Sequence, residues 1–559
     1  MKKIGIITTT LLCAVLNTTA FAASPLPSFD KTAVTEYPYY RTGKQEAEVE
    51  NRLQQKEAYQ PGNTGTQENP AFYVKSIKLT GFVLPEVHQN KKLQDILAAY
   101  THRSVAFAEL QLLTDEVTKY ARDCGFTVSQ AVVPEQEITN GELEVAVYAA
   151  SYDDIKMVQN TSKVADRVLV KFLEPLKKDV VITDKKLERV MNDLNDLPGV
   201  IARGSLYPGS RPLTTGLAVE ILRRPVWNNY VFADNGGSKS SGRYRYGIHT
   251  EINNPGEQGD KIGITGSISN KHTKNYAVNY ETAVGSRGTR IGVGVSKTTY
   301  DIGWQNGFFN QYGDSEAFSF YGMTPVYRDK SKRVTALYGY DYRRIEDNMD
   351  YKLNFGDNLI MSASDTNKKH ANVFHVGLAA SEYQPNLFTY GNVTYWYGDI
   401  DAKEQEAYFE GAYHKLTADF KHVRYWTDWN LRIEAHAQLA NRGLDGSERF
   451  YLGGMNGVRA YPASETSGDV GYNATMELRR RTDIEGLEVA AFIDVGEVTI
   501  AKGYNQHRNL AGWGLGLRYA KENDWYAQFD YAWKIHGEPY QSEDHDHRGR
   551  MWFQVYKMF

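Results

Sequence analysis

The second half of the chain alternates hydrophobic and polar residues with a period of two. The segments Asn275–Gly285 (NYAVNYETAVG) and Arg290–Lys297 (RIGVGVSK) show the pattern of strands with one apolar and one polar face. Sixteen such segments begin near Asn228, Tyr244, Asp260, Asn275, Arg290, Ser315, Arg333, His370, Leu387, Tyr408, Trp429, Gly471, Val489, Gly512, Trp525 and Arg550. An even number of strands is typical of single-chain bacterial outer-membrane barrels.

The connections between these predicted strands differ in length. The short ones are Ser286–Thr289, Gln384–Asn386, Thr427–Asp428 and Lys521–Asp524, and the long ones are Arg344–Thr366, Asn441–Asp469 and Lys534–His547. Outer-membrane barrels have short turns on one side and long loops on the other. A soluble all-β fold, the competing interpretation, has no reason to sort its connections in this way. We therefore predict a mainly β protein with a sixteen-stranded transmembrane barrel over residues 226–559.

Two α+β units of similar order precede the predicted barrel. Residues 71–150 favour strand Phe72–Leu79, helices Leu93–Tyr100 and Phe107–Arg122, and strands Thr127–Val133 and Gly141–Tyr148. Residues 151–225 repeat this order with strand Ile155–Val158, helices Val164–Leu176 and Leu187–Leu197, and strands Ile201–Leu206 and Leu217–Leu222. Units of about 75 residues fall within the ordinary size of small domains.

The N-terminal region is typical of a secreted chain. Residues 1–22 combine two lysines, the apolar run Ile4–Leu16 and the small-x-small site Ala20–Ala22, which predicts a signal peptide. Lipoprotein processing at Cys13 is the alternative, although Leu12 stands where that signal has a small residue. Signal cleavage would leave Cys124 alone, so no internal disulfide is expected.

Within residues 23–59, the stretch 43–59 (GKQEAEVENRLQQKEAY) predicts a polar helix. Its apolar stripe is too thin for a hydrophobic core, so it belongs in solvent or in a water-filled lumen. Residues 60–70 (QPGNTGTQENP) form a linker by their turn chemistry.

Composition and motifs point away from several other functions. A net charge of -4 argues against a nucleic-acid binder. The glycines of the GWGLG segment at 512–516 lie in a strand with no helix after it, so they do not form a phosphate loop. Asp544–His547 (DHDH) is more typical of solvated charge than of a metal site. No nucleophile–base–acid set with supporting spacing is evident, and we expect neither an enzyme nor a cofactor or metal.

Three motifs resemble the two-partner secretion transporters of the Omp85 superfamily, the exporters of hemolysins and filamentous hemagglutinins. Asn192–Val200 (NDLNDLPGV) resembles a stretch of that family's second polypeptide-transport-associated (POTRA) domain, and Asp234–Tyr244 resembles its first barrel hairpin. The final strand ends in Phe559, which resembles the signal read by the barrel-assembly machinery. The order of signal, polar helix, linker, two α+β units and barrel matches over nearly the whole chain.

The most specific motif is Val458-Arg459-Ala460-Tyr461, which resembles the family's loop-six tip, usually Val-Arg-Gly-Tyr. The resemblance implies that the loop folds into the lumen and that Arg459 pairs with an acidic residue of the inner wall, matched here by Asp494. Alternation predicts that Asp494 faces inward, since a carboxylate facing lipid is costly. We call Arg459, Tyr461 and Asp494 the loop-six lock.

The resemblance implies export of a large partner protein across the outer membrane. In that cycle the helix 43–59 plugs the lumen at rest, the POTRA domains bind the partner's secretion domain, and the partner crosses unfolded. Implied partners are a hemolysin, an adhesin or a contact-dependent growth-inhibition toxin, together with outer-membrane lipid, the barrel-assembly machinery and periplasmic chaperones. An insertase of the same superfamily and a passive porin or receptor are the alternatives. An insertase usually carries more POTRA domains, and a porin needs none.

Overall fold

The computed structural model describes residues 71–82, 91–138, 140–271, 273–305, 309–329, 331–354, 360–402, 410–501, 506–521, 524–536, 540, 542–543 and 546–559. The predicted signal peptide (1–22), polar helix (43–59) and linker (60–70) lie outside the described residues. None of the helices in the described part is long and apolar enough to cross a bilayer.

The first α+β unit consists of strands β1 (Ala71–Val74) and β2 (Ser76–Gly81), helix α1 (Lys91–Ala98), strand β3 (Arg103–Ala106), helix α2 (Phe107–Asp123), and strands β4 (Ser129–Val132) and β5 (Glu142–Ala149). The predicted strand 72–79 is two strands, because β1 pairs with β3 whereas β2 pairs in parallel with β5. Strand β3, only four residues long, escaped prediction. Leu113 and Val117 of α2 are fully buried in the core with Val145 of β5.

The second unit contains strand β6 (Ser151–Asn160), helices α3 (Asp166–Leu173) and α4 (Asp184–Asn195), and strands β7 (Val200–Pro208) and β8 (Thr214–Arg223). The sheet order is β6-β8-β7, which leaves β6 and β7 at the edges. Both helices cover the sheet through buried apolar residues, among them Leu169, Phe172 and Leu194. Each element predicted for residues 151–225 is present, with bounds that differ by a few residues.

A closed barrel of sixteen strands follows, as predicted. Its strands are β9 (Trp227–Asp234), β10 (Arg245–Asn253), β11 (Lys261–Ser269), β12 (Lys274–Val284), β13 (Thr289–Gln305), β14 (Phe309–Arg328), β15 (Lys332–Asn354), β16 (Ile360–Gln384), β17 (Leu387–Ala402), β18 (Gly411–Tyr425), β19 (Trp429–Ala440), β22 (Val470–Arg481), β23 (Leu487–Thr499), β24 (His507–Lys521), β25 (Trp525–His536) and β26 (Gly549–Met558). Neighbours pair antiparallel, and β26 pairs with β9 to close the cylinder. The short strands β20 (Phe450–Leu452) and β21 (Thr466–Gly468) pair with each other and lie outside this ring.

The barrel strands sort their side chains by face. In β23, Phe492 and Asp494 are buried, whereas Ile493 and Val495 are 47% and 41% exposed. An apolar outer face and a polar inner face are what a barrel surrounded by lipid needs. Because backbone pairing runs around the whole ring, the barrel has no free strand edge to expose in the membrane.

The largest difference from prediction is at strands β15 and β16. The segment 344–366, predicted as a loop, is mostly a paired hairpin in which Arg344 lies opposite His370 and Asn354 opposite Ile360. Strands β14 and β24 likewise begin earlier than predicted, at Phe309 and His507. Backbone hydrogen bonds hold such extensions together without an apolar face, so hydropathy alone does not reveal them.

The second α+β unit contacts one rim of the barrel. Asp196, which follows α4, pairs with Arg333 at 3.0 Å and with Arg328 (Nη2–Oδ1 3.3 Å). The backbone N–H of Ala165 donates to the carbonyl of Glu257 in the β10–β11 turn at 2.9 Å. Short barrel turns therefore share a side with the α+β units, and the long connections lie at the opposite rim.

Candidate functional site

The connection between β19 and β22, residues 441–469, turns back into the barrel. A short 3₁₀ turn at Gly446–Glu448 leads into β20, and the chain returns through β21. Between these strands, Val458, Ala460 and Tyr461 are fully buried. A loop extending from the rim into solvent would leave these side chains exposed, so burial places the loop inside the lumen.

Arg459 lies at the tip of this loop and forms a dense set of polar contacts. Its Nε and Nη2 donate to the two carboxylate oxygens of Asp494 at 2.9 and 2.8 Å. Its backbone N–H donates to the same carboxylate at 3.1 Å. Its Nη1 donates to Glu477 at 2.9 Å and to Asp530 at 3.3 Å. The structure therefore brings Arg459 and Asp494 together in the bidentate geometry that suits guanidinium and carboxylate.

Further charges on the inner wall balance this site. Arg518 of β24 pairs with Glu477 at 2.9 Å and with Asp530 at 2.6 Å. Arg479 of β22 also pairs with Glu477. Three guanidinium groups thus face three carboxylates, of Glu477, Asp494 and Asp530. A buried charge without such partners would be far more costly than a balanced group.

Apolar and aromatic groups enclose the guanidinium group. Its carbon atom lies 3.2 Å from the ring centroid of Phe492, a cation–π contact. Trp552, in the last strand, donates from its indole Nε1 to the carbonyl of Arg459 at 2.7 Å. The contacts of Arg459 thus reach from β22 to β26. Because a buried ion pair adds little net stability, their chief effect is to define where the loop tip lies.

Tyr461 packs against the last long connection. Its ring lies edge-on to that of Tyr540, with centroids 5.8 Å apart, and Lys534 Nζ is 5.0 Å from its centroid. The hydroxyl of Tyr540 donates to the carbonyl of Ala460 at 2.9 Å. Tyr461 thus fastens the tip to a neighbouring loop, whereas Arg459 fastens it to the wall.

Comparison with known proteins identifies this architecture. A family model described as "Haemolysin secretion/activation protein ShlB/FhaC/HecB" matches residues 214–519, more than half of the chain. A second, described as "POTRA domain, ShlB-type", matches residues 72–149. The chain belongs to the ShlB/FhaC/HecB family. It is an outer-membrane transporter of two-partner secretion, and the two α+β units are its periplasmic POTRA domains.

Individual proteins similar to this chain are also outer-membrane or heme/hemopexin transporters by name. The chain is 24% identical to the "Heme/hemopexin transporter protein HuxB" of Haemophilus influenzae (strain 86-028NP), over 84% of this chain and 85% of that protein. It is 23% identical to the "Outer membrane transporter CdiB" of Dickeya dadantii, over 76% of each chain.

Solved structures share the fold. CdiB from Escherichia coli matches with a TM-score of 0.66 and 18% identity, over 93% of this chain and 98% of that one. CdiB from Acinetobacter baumannii matches with a TM-score of 0.64 and 17% identity over the same shares. A structure of BamA from Haemophilus ducreyi lacking POTRA domains 1–3 is less similar, with a TM-score of 0.50 and 13% identity over 87% of this chain. The family match favours secretion over the insertase alternative.

The loop tip differs from the family's usual Val-Arg-Gly-Tyr at one position, where Ala460 replaces the glycine. Ala460 is not among the described residues with positive φ, so its backbone does not need glycine. Its methyl group lies against β24, where a Cβ on Gly512 would come within 2.5 Å of it. Gly512 therefore provides the space that the alanine occupies.

The remaining candidates lie elsewhere. Phe559 is 66% exposed, and its N–H donates to the carbonyl of Asn229 at 3.1 Å, beside the β9–β26 pairing. Its role as an assembly signal stays a prediction. Residues 544–545 of the DHDH segment lie outside the described residues. In the described part, no group of three or more His, Cys, Asp or Glu side chains is placed to hold a metal ion.

Proposed function

We propose that this transporter recognises the secretion domain of one large exoprotein in the periplasm and moves that protein, unfolded, to the cell surface. The observation that carries the proposal is that buried Arg459 holds the loop tip inside a closed barrel, in a chain that also has two POTRA domains. A passive porin needs neither feature. In this cycle the loop-six lock sets the shape of the lumen through which the partner passes.

Deletion of the gene in the parent bacterium tests this function. Loss of the transporter should leave one large exoprotein in the periplasm, while the levels of other outer-membrane proteins stay normal. Quantitative proteomics of surface, periplasmic and outer-membrane fractions would measure both. A general loss of outer-membrane proteins would instead favour an insertase.

Strand addition to a POTRA sheet is the proposed mode of recognition. The three-stranded sheets end in β2 and β4 in the first domain and in β6 and β7 in the second. In β7, which is one of these edge strands, residues 203–208 are also exposed to solvent. Pairing with an edge strand uses backbone groups, so it tolerates varied partner sequences. Proline substitutions along each edge, scored by binding of the isolated secretion domain to the full chain, would identify the edge that is used.

The polar helix 43–59 is the proposed resting plug of the lumen. A sixteen-stranded barrel is too wide to be filled by its own side chains. Deletion of residues 43–59 should therefore raise ion conductance in planar bilayers. A deletion of residues 60–66, which shortens the linker and keeps the helix, is the control. Unchanged conductance after removal of the helix would refute the plug.

The exported partner is proposed to be a hemolysin, an adhesin or a contact-dependent growth-inhibition toxin. The relatives named for heme/hemopexin transport add a partner of that kind to the candidates. Co-expression of the transporter with the product of an adjacent large reading frame should release that product at the cell surface. Its release at the same level without the transporter would exclude it as the partner.

A further inference from the structure

The loop of residues 441–469 has a second set of buried ion pairs, at its stem. Glu448 is 2% exposed and lies in the 3₁₀ turn that begins the inward path. Its carboxylate pairs with Lys415 of β18 at 2.6 Å and with Arg343 of β15. Here the loop supplies the negative charge and the wall supplies the positive charge. The polarity is therefore opposite to that at Arg459.

Asp445 strengthens the same attachment. Its Oδ2 accepts from Lys369 of β16 at 2.8 Å. Its Oδ1 caps the 3₁₀ turn, accepting from the backbone N–H of Ser447 at 3.0 Å. The capping bond orients this carboxylate, and the lysine attaches it to the wall. We call Asp445 and Glu448 with Lys369, Lys415 and Arg343 the stem anchor.

The two ends of the stem are joined to each other. Asp469, at the return of the loop, accepts from the backbone N–H of Leu444 at 2.9 Å. The side-chain amide of Gln438 donates to the carbonyls of Glu448 and Asp469 at 2.9 and 3.2 Å. The stem is therefore a closed unit that is attached by ion pairs to β15, β16 and β18, while its strands β20 and β21 pack against β22 and β23.

Left-handed residues separate this stem from the tip. Gly453 and Gly454 have φ of +100° and +95°, and Ser464 has φ of +55° on the return path. The tip, residues 455–463, lies between these positions and carries Arg459. The polar contacts of Arg459 are with β22–β26, whereas the charged partners of the stem lie on β15, β16 and β18, on the other side of the β19–β22 hairpin.

We propose that the loop is held by two independent anchors of opposite polarity, and that the stem anchor keeps the loop across the lumen when Arg459 is released. Movement of the tip then widens the lumen on the β22–β26 side alone. Release of the whole loop requires both anchors to break, together with the ion pair of Glu465 with Arg508 of β24 at 2.6 Å. Asp445 and Glu448 are positioning residues for the proposed transport. The two anchors rest on the contacts alone, and only the expected effect on secretion rests on the proposed function.

Pulsed electron paramagnetic resonance on the full chain, in a Cys124→Ser background, tests the proposal. One nitroxide is placed at exposed Thr427 in a short turn, and the second either at exposed Asn456 in the tip or at Ser467 in the stem. Arg459→Ala should broaden the distance distribution of the tip label alone. Lys369→Met with Lys415→Met should broaden that of the stem label, while Lys369→Arg with Lys415→Arg should keep it narrow.

Glu448→Gln provides a second variant on the loop side should the double lysine variant not assemble. A stem distribution that stays narrow without the lysines, or that broadens in Arg459→Ala alone, would overturn the two anchors. Secretion is measured on the same variants. If a variant with a displaced stem still secreted normally, the stem anchor would be supported as a structural contact, but its role in transport would be excluded.

Discussion

At the scale of single residues, the guanidinium group of Arg459 does what an ammonium group cannot. It offers a planar fork to Asp494 and a further donor to Glu477 and Asp530. The face of the same group stacks on the Phe492 ring. A lysine would carry the charge but could satisfy only part of this arrangement.

Arg459→Ala should therefore reduce secretion strongly while the barrel still assembles. Removing one partner of a buried ion pair costs about 3–5 kcal/mol. Here that cost weakens the binding of the loop tip to the barrel wall. Arg459→Lys should give an intermediate secretion level. Arg480→Ala, at an exposed arginine of the same barrel, is the control. Secretion and the shift in gel mobility on boiling are measured together, and normal secretion by Arg459→Ala would remove the lock from the mechanism.

A second prediction at this scale concerns the pair Gly512 and Ala460. A methyl group on Gly512 would lie 2.5 Å from the Ala460 Cβ, and overpacking of this kind costs about 1–3 kcal/mol. Gly512→Ala should lower the thermal stability of the loop site, and Ala460→Gly should restore it in the double variant. Gly266→Ala, where the nearest atom is 3.8 Å away, is the control. Failure of Ala460→Gly to rescue would show that the cost arises elsewhere.

At the scale of elements, helix α4 of the second POTRA domain contacts the rim of the barrel. Asp193 in its last turn is buried beside Arg328 at 3.7 Å and Arg189 at 3.9 Å, with Asp196 and Arg333 nearby. Burial raises the pKa of the Asp193 carboxyl from 3.8 to about 6. The loss of hydration thus outweighs the attraction of the arginines at this position.

The raised pKa of Asp193 predicts a pH-dependent contact. A carboxyl whose pKa is raised by folding contributes stability below its unfolded pKa, and that contribution is lost as the pH rises through about 6. Amides of α4 should therefore exchange hydrogen more slowly at pH 5 than at pH 7.5, after correction for intrinsic rates. Asp193→Asn should remove the difference by slowing exchange at pH 7.5. Glu174→Gln, at an exposed position, is the control, and a pH effect that survives Asp193→Asn would assign it to another group.

At the scale of the whole molecule, the closed barrel dominates the stability. Every barrel strand has two paired neighbours, and the β9–β26 seam completes the ring. Opening such a ring requires the loss of an entire row of backbone hydrogen bonds. The POTRA domains, with two separate hydrophobic cores, have no such constraint.

The purified chain should therefore migrate differently on a detergent gel before and after boiling. The barrel is expected to remain folded in detergent at room temperature and to unfold only on heating. A variant lacking residues 71–225 should keep this behaviour, because the barrel closes without the POTRA domains. Identical mobility of boiled and unboiled protein, or recovery in the aqueous fraction without detergent, would contradict the transmembrane barrel.

The sequence by itself determined the barrel, the strand number and the order of elements in the second POTRA domain. In the first POTRA domain it missed the short strand β3 and the division of Phe72–Leu79 into β1 and β2. A two-residue period is set by which face of a strand meets lipid, and a 3.6-residue period by which face of a helix meets its sheet. Both are local properties of the chain. The same logic put Asp494 on the inner face, between outward-facing Ile493 and Val495. The long β15–β16 hairpin escaped prediction because its pairing in water needs no apolar face.

The tertiary structure alone decided which side chains meet across the lumen. Arg459 contacts Glu477 and Asp530 in addition to Asp494, and Gly512 accommodates Ala460. The stem anchor joins Glu448 to Arg343, 105 positions earlier in the chain. Contacts between residues so far apart depend on the register of every intervening strand and on where the loop turns inward. No local pattern of hydrophobic and polar positions encodes that information.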